Sequence, residues 1–147
     1  MFNTKWFYGG EDLTDARKIR QEVFVIEQNV DPEIEYDELD KVAVHLVLYE
    51  NGVPVGTGRA INKDGEYYIG RLAVLKDFRK KGYGDLIMRV LIRKCFDAGG
   101  DKQYIHAQKH AENFYKKLGF TPYGEPFAEA GIEHIHMVRE GDIGHIC

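Results

Sequence analysis

The stretch RLAVLKDFRKKGYGDLI, residues 71–87, decides how this chain is read. Its first five residues form the end of an apolar strand. Arg79-Lys80-Lys81-Gly82-Tyr83-Gly84 is a basic glycine loop, and Asp85-Leu86-Ile87 opens an amphipathic helix. A helix that starts this way offers unpaired backbone N–H groups and the positive end of its dipole beside three cationic side chains. The junction is therefore an anion site suited to phosphate. Two other phosphate loops are excluded by residue type. A Walker A loop ends in Gly-Lys-Ser/Thr, whereas Gly84 is followed by Asp85-Leu86. A dinucleotide fingerprint needs a third small residue where Ile87 stands, and it follows the first strand of a βαβ unit, not the third strand of a meander.

Working outward, Ile87, Val90, Leu91, Cys95 and Ala98 form the apolar stripe of a helix over residues 82–98, with Arg89, Arg93 and Asp97 toward water and Gly99-Gly100 as its stop. Upstream, residues 42–50, 54–62 and 66–75 read as a three-strand meander turned at Asn51-Gly52 and Lys63-Asp64-Gly65. Phe2–Tyr8 is a strand before Gly9-Gly10. Ala16, Ile19, Val23 and Ile26 predict one amphipathic helix over residues 12–28, and Asp31-Pro32 caps a short second helix. Downstream come a strand at 102–107, a helix at 110–118, and strands at 120–123 and 132–139. The order is β-α-α-β-β-β-α-β-α-β-β.

At 147 residues the chain fits one domain, and 44% hydrophobic with 30% charged residues is ordinary for a globular protein. A net charge of −4 argues against nucleic acid as partner, and no apolar run approaches the roughly 20 residues of a membrane span. Residues 1–10 hold no signal-like apolar core. Cys95 on an apolar helix face and Cys147 in a polar tail predict no disulfide, which fits a reducing cytoplasm.

Together with His110-Ala111-Glu112-Asn113-Phe114-Tyr115-Lys116-Lys117-Leu118-Gly119-Phe120, the glycine loop resembles the GNAT superfamily of acetyl-CoA-dependent N-acetyltransferases. Arg79, Gly82 and Gly84 satisfy its Arg/Gln-x-x-Gly-x-Gly/Ala signature, and the second segment resembles its A-x-x-F-Y-x-K-x-G-F run. Arg20-Gln21-Glu22-Val23-Phe24-Val25-Ile26-Glu27-Gln28, Glu35 to Asp40 and Gly131 to His134 resemble the ElaA/YjcF-like branch. The resemblance covers nearly the whole chain. It implies an α/β (α+β) GNAT fold, a mixed and mostly antiparallel sheet with helices on both faces, in one domain spanning residues 1–147.

It also implies acetyl-CoA as co-substrate, a small-molecule amine as acceptor, and direct attack in a ternary complex without a metal. Arg79, Lys80, Lys81, Gly82, Tyr83, Gly84 and Asp85 would hold the coenzyme A phosphates, the two glycines allowing close backbone approach. Leu72, Ala73 and Val74 would pair with the pantetheine arm, an N–H near Val74 polarising the thioester carbonyl. Gln108 stands where the family carries a pantetheine-contacting asparagine, and Asn113 faces either solvent or the adenosine phosphates. Tyr115 matches the tyrosine that protonates the departing thiolate. His134 resembles the final-strand base of glyphosate-N-acetyltransferase-like members, a role suited to a side chain titrating near neutral pH. His134 and His136 share a strand face, but no third ligand at a fixed spacing makes a zinc set.

On the acceptor side, Arg20 is a candidate for a substrate carboxylate or for a pair with the acidic stretch of residues 31–40. Arg59 and Arg71 are further anion contacts, and the acidic stretch itself reads either as a solvated loop or as an attractor of a cationic amine toward the pocket. Arginines with carboxylates would suit a zwitterionic acceptor. Two other readings remain open: a non-catalytic acyl-CoA sensor, and a protein or peptide N-acetyltransferase. The fold commonly dimerises, and aromatic residues near both ends offer a homodimer surface.

Overall fold

The computed structural model describes residues 1–144, so the expectation for Cys147 lies outside them. Its elements follow the expected order: β1 (Phe2–Tyr8), α1 (Thr14–Arg20), α2 (Pro32–Glu35), β2 (Val44–Glu50), β3 (Val53–Lys63), β4 (Glu66–Val74), α3 (Tyr83–Asp97), β5 (Lys102–Gln108), α4 (Glu112–Lys116), β6 (Thr121–Glu129) and β7 (Ile132–Glu140). Asn51-Gly52 and Asp64-Gly65 each take the two consecutive positive φ angles that a tight hairpin turn demands, which fixes the β2–β3–β4 meander.

Seven strands form one sheet in the order β1-β2-β3-β4-β5-β7-β6, antiparallel except where β4 meets β5. Helix α3 lies on one face and buries Ile87, Leu91 and Cys95 against Leu46, Leu48, Ile69, Ile105 and Met137. Gly56 and Gly58 allow this contact, because a Cβ on either would stand 2.7 Å from the tip of Ile87 or Leu91. Helix α1 covers the other face, setting Ala16, Ile19 and Val23 on Val47, Tyr49 and Ala73.

The β4–β5 junction matters most. The two strands pair only over Tyr67–Ile69 and Gln103–Ile105, then part. In the same region β4 bulges against β3. Arg71 and Leu72 together oppose Gly58, and Arg71 takes φ 54°, rare for a residue with a side chain. Strand β4 thus leaves the sheet with one edge unpaired.

Several boundaries differ from the sequence expectation. The helix expected over 12–28 stops as an α-helix at Arg20 and widens into a π-helical turn over Gln21–Glu27, closed by the Gln28 N–H on the Val23 carbonyl five residues back. The wider turn advances the phase, so Ile26, expected in the core, is 62% exposed. In α3 the inner face includes Met88 and Ile92, while Ala98 is exposed. The 110–118 helix is a 3₁₀ turn, Lys109–Ala111, followed by the short α4, and β6 runs on to Glu129 through an irregularity between Tyr123 and Phe127. Among the described residues no helix is long and apolar enough to cross a membrane.

Candidate functional site

The parted strands open a cleft of about 1320 Å³. It runs along β4 from Tyr68 to Val74, on the order of 20 Å at strand rise. One end is the glycine loop and the other lies under α2.

At the loop end, Lys80 and Gly82 both take positive φ, 67° and 82°, and turn the chain into α3. No side chain caps that helix, so the first amides stay available. A Cβ on Gly84 would sit 3.5 Å from Phe114 and 4.0 Å from Val74, filling the mouth of the cleft without colliding with the fold. Lys80, Gly82, Tyr83, Gly84 and Asp85 all line the cleft. Arg79 lines it too, but its guanidinium grips Glu27 at 2.6 and 2.7 Å and its Nε donates to the Val74 carbonyl. Lys81 turns away from the lining and binds Glu50 at 3.0 Å, an acceptor it shares with the Tyr83 hydroxyl. Asn113 is exposed on α4 and also outside the lining.

Along the wall, Leu72, Ala73 and Val74 present the free edge of β4. The Leu75 N–H donates to Val55 on β3, so by strand alternation the Val74 N–H points the other way, into the gap. Tyr115 lines the same cleft, its ring packed edge-on to Phe114 and Phe120. Its hydroxyl has no hydrogen-bond partner among the described residues, and burial pushes the phenol up to about 12. Cys95 lies in the core under α3, its thiol also raised to about 12 by burial, which leaves it inert.

The π turn explains the Glu27-Gln28 pair of the sequence motif. Glu27 holds Arg79 beyond the end of β4, and Gln28 accepts from Gln108 at the end of β5, at 2.8 Å. One segment therefore ties together the two strands that part. Gln108 lines the cleft as expected, with its amide already engaged.

At the far end the three arginines are occupied. Arg20 is 1% exposed and does not line the cleft; it binds Glu35 at 2.5 Å and Asp40 at 2.9 Å. Of its two expected roles, pairing with the acidic stretch is the one observed. Arg59 binds Asp37 and Asp40 at 2.7 and 2.8 Å; Arg71 binds Asp37 and the carbonyls of Ile34 and Glu35. Both line the cleft, but as members of this ionic cluster. The acidic stretch is accordingly not a solvated loop. Glu35, Asp37 and Asp40 turn inward, while Asp31, Glu33 and Glu38 face water. Burial works against the Asp37 and Asp40 charges, yet the arginines hold both carboxyls below their ordinary value. Burial likewise opposes charge on Arg20, and its bonds to Glu35 and Asp40 raise it above normal.

His134 is buried at the same end. Its Nδ1 donates to the Ile132 carbonyl at 2.8 Å, so in the neutral ring Nε2 carries the lone pair. That nitrogen lies 3.8 Å from Glu129 Oε2, and His106 Nδ1 donates to Glu129 Oε1 at 3.0 Å. The His106 bond, ahead of the opposing effect of burial, lowers the Glu129 carboxyl below its usual range. Glu129 escaped the sequence reading. The Ala130-Gly131 turn was the available signal, because a tight hairpin there folds Glu129 back beside β7. Among the described residues no cluster of three or more His, Cys, Asp or Glu is arranged to hold a metal.

The arrangement can bind a phosphate-bearing ligand at the helix start, align an extended arm on β4, donate a proton at Tyr115 and accept one at His134. Comparison with known proteins gives the family and the fold. Residues 11–140 match the family described as "Acetyltransferase (GNAT) domain". The "Uncharacterized N-acetyltransferase YjcF" of Bacillus subtilis is 43% identical over 131 residues, covering 88% of this chain and 94% of that protein. The crystal structure of Escherichia coli ElaA superposes with a TM-score of 0.85 at 30% identity, covering 95% of this chain and all of the other. An acyl-CoA N-acyltransferase from Pseudomonas aeruginosa gives a TM-score of 0.85 at 28% identity, over 95% and 99% of the two chains.

Proposed function

This chain belongs to the GNAT acetyltransferase family, with that family's acyl-CoA N-acyltransferase fold, and we propose that it moves an acetyl group from acetyl-CoA directly onto the amine of a small-molecule acceptor. The observation that carries this reading is Tyr115. Its hydroxyl has no partner among the described residues, is protonated, and lines, with the free edge of β4, a cleft that begins at a glycine-loop helix without a side-chain cap among those residues.

The loop amides from Gly82 to Asp85, with Lys80, hold the coenzyme A phosphates, and Leu72 to Val74 align the pantetheine arm as an added strand. The Val74 N–H faces the thioester carbonyl oxygen. His134 Nε2 takes a proton from the acceptor ammonium, and the freed nitrogen attacks the carbonyl carbon. As the C–S bond breaks, the Tyr115 O–H donates to the leaving sulfur; the nitrogen sheds its second proton to water as the amide forms, and Tyr115 regains a proton from water. A phenol near 12 is a weak acid beside a thiol near 8.5, about 5 kcal/mol uphill as an isolated exchange. The same dry wall raises the basicity of the thiolate, and concerted C–S cleavage offsets the remainder. No cysteine intermediate is needed, which agrees with the buried, raised Cys95.

The test is thiol release from acetyl-CoA over a panel of primary amines, wild type against Tyr115→Phe. A drop in kcat of at least about tenfold, with the acetyl-CoA KM within a factor of three, supports the acid role. Undiminished kcat removes Tyr115 from it.

A further inference from the structure

The far half of the cleft has a composition that speaks to the acceptor. Val30, Ile34, Leu39, Ile61 and Ile132 line it, giving an apolar chamber beside His134. The arginines at this end are already matched. Arg20, Arg59 and Arg71 face Glu35, Asp37 and Asp40, three cations with three carboxylates. Both Nη atoms of Arg59 are taken by Asp37 and Asp40, and its Nε is buried without a partner. Arg71 gives Nε and Nη2 to Glu35, Ile34 and Asp37. Arg71 Nη1 takes no part in these bonds, but a carboxylate reaching it would be held against Glu35 and Asp37, which already lie 3.7 and 3.2 Å from the same guanidinium, and would be repelled by both. Away from the glycine loop the lining holds one more cation, Lys63, exposed at the end of β3 with its Nζ over the Tyr68 ring.

Beside His134 stands a carboxylate outside the cluster, Glu129. It lines the chamber 3.8 Å from His134 Nε2, half exposed, with one oxygen on His106 and the other turned to His134. A cationic nitrogen between Glu129 and His134 would be attracted by the first and deprotonated by the second, while the rest of the molecule packs on aliphatic side chains.

Resting on the acyl-transfer reading above, we propose that the acceptor is a primary amine on an apolar body with no carboxylate beside the nitrogen, its ammonium held by Glu129 and its proton taken by His134. This departs from the zwitterionic acceptor that the arginines and carboxylates suggest in sequence.

Matched pairs test it: 2-phenylethylamine against phenylalanine and 3-methylbutylamine against leucine, followed by thiol release with wild type and with Glu129→Gln. The expected result is a kcat/KM at least about tenfold higher for the carboxylate-free member of each pair. Glu129→Gln should then raise the amine KM by a similar factor and leave the acetyl-CoA KM unchanged. Equal or better turnover of the amino acids overturns the inference and leaves acyl transfer standing. An unchanged amine KM in Glu129→Gln also overturns it. Thiol release with no amine at all, despite acetyl-CoA binding, overturns the transfer reading and this inference with it.

Discussion

Tyr115, Gly82 and Gly84 hold different parts of the account, and single substitutions separate them. Gly82 is needed by the backbone. At φ 82°, alanine there should cost about 1–2 kcal/mol, visible as a lower Tm. Gly84 is needed by the ligand. Alanine there meets only ordinary contacts within the fold, so Gly84→Ala should keep or raise Tm while weakening acetyl-CoA binding, read by calorimetry, by at least about tenfold. Equal effects at both positions would mean that the loop is structural only. For Tyr115, a phenol near 12 stays protonated through the working range, so kcat should show no alkaline fall from its ionisation until pH approaches that value. The glycines and Tyr115 are legible in sequence because their signals are local. Glu129 is not, since its meaning arises only when the β6–β7 hairpin sets it beside His134 and His106.

At the scale of elements, the α1–α2 segment is where sequence and structure part most. The apolar positions Ala16, Ile19, Val23 and Ile26 follow an α-helical period, but the π turn over Gln21–Glu27 takes Ile26 out of the core and turns Glu27 and Gln28 to the cleft. No periodicity argument contains that extra residue per turn. Two stability measurements check it. Ile19→Ala should cost about 2–5 kcal/mol, and Ile26→Ala should stay within about 0.5 kcal/mol. The ionic cluster was legible as a list of charges, but its inward direction depends on where α2 ends at Glu35 and the 3₁₀ turn of Glu38–Lys41 begins. Arg20→Met would remove both close contacts of the buried Glu35 carboxylate and leave Asp40 to Arg59 alone, and should cost about 3–5 kcal/mol. The sign of the pH effect follows from Asp37 and Asp40, whose carboxyls are depressed in the folded state. Their contribution is present above the unfolded carboxylate value, about 3.9, and is lost as pH falls through the lower folded values. Asp40→Asn should therefore be less stable than wild type at pH 7 and should lose less further stability on acidification. An equal acid slope in the two proteins would contradict the cluster's role.

In the whole molecule, one departure from regular pairing produces the site. Five of the six strand pairings are antiparallel and could belong to many sheets; what distinguishes this one is the brief parallel contact of β4 with β5, the bulge at Arg71 and the gap that follows. Helix α3 brings its uncapped start to one end of that gap, and the α1–α2 segment closes the other while bridging Arg79 and Gln108. The meander and the glycine loop announce the architecture in sequence. The gap does not announce itself, because it consists of missing hydrogen bonds. The central claim is that this gap carries an acetyl group from coenzyme A to an amine in one step. A single-turnover experiment with acetyl-labelled acetyl-CoA and 2-phenylethylamine, quenched at intervals, tests it most directly. The account predicts label passing from the thioester to the amine in step with thiol release and none covalently on the protein. Label retained on the protein, or thiol released at the same rate without amine, would contradict it.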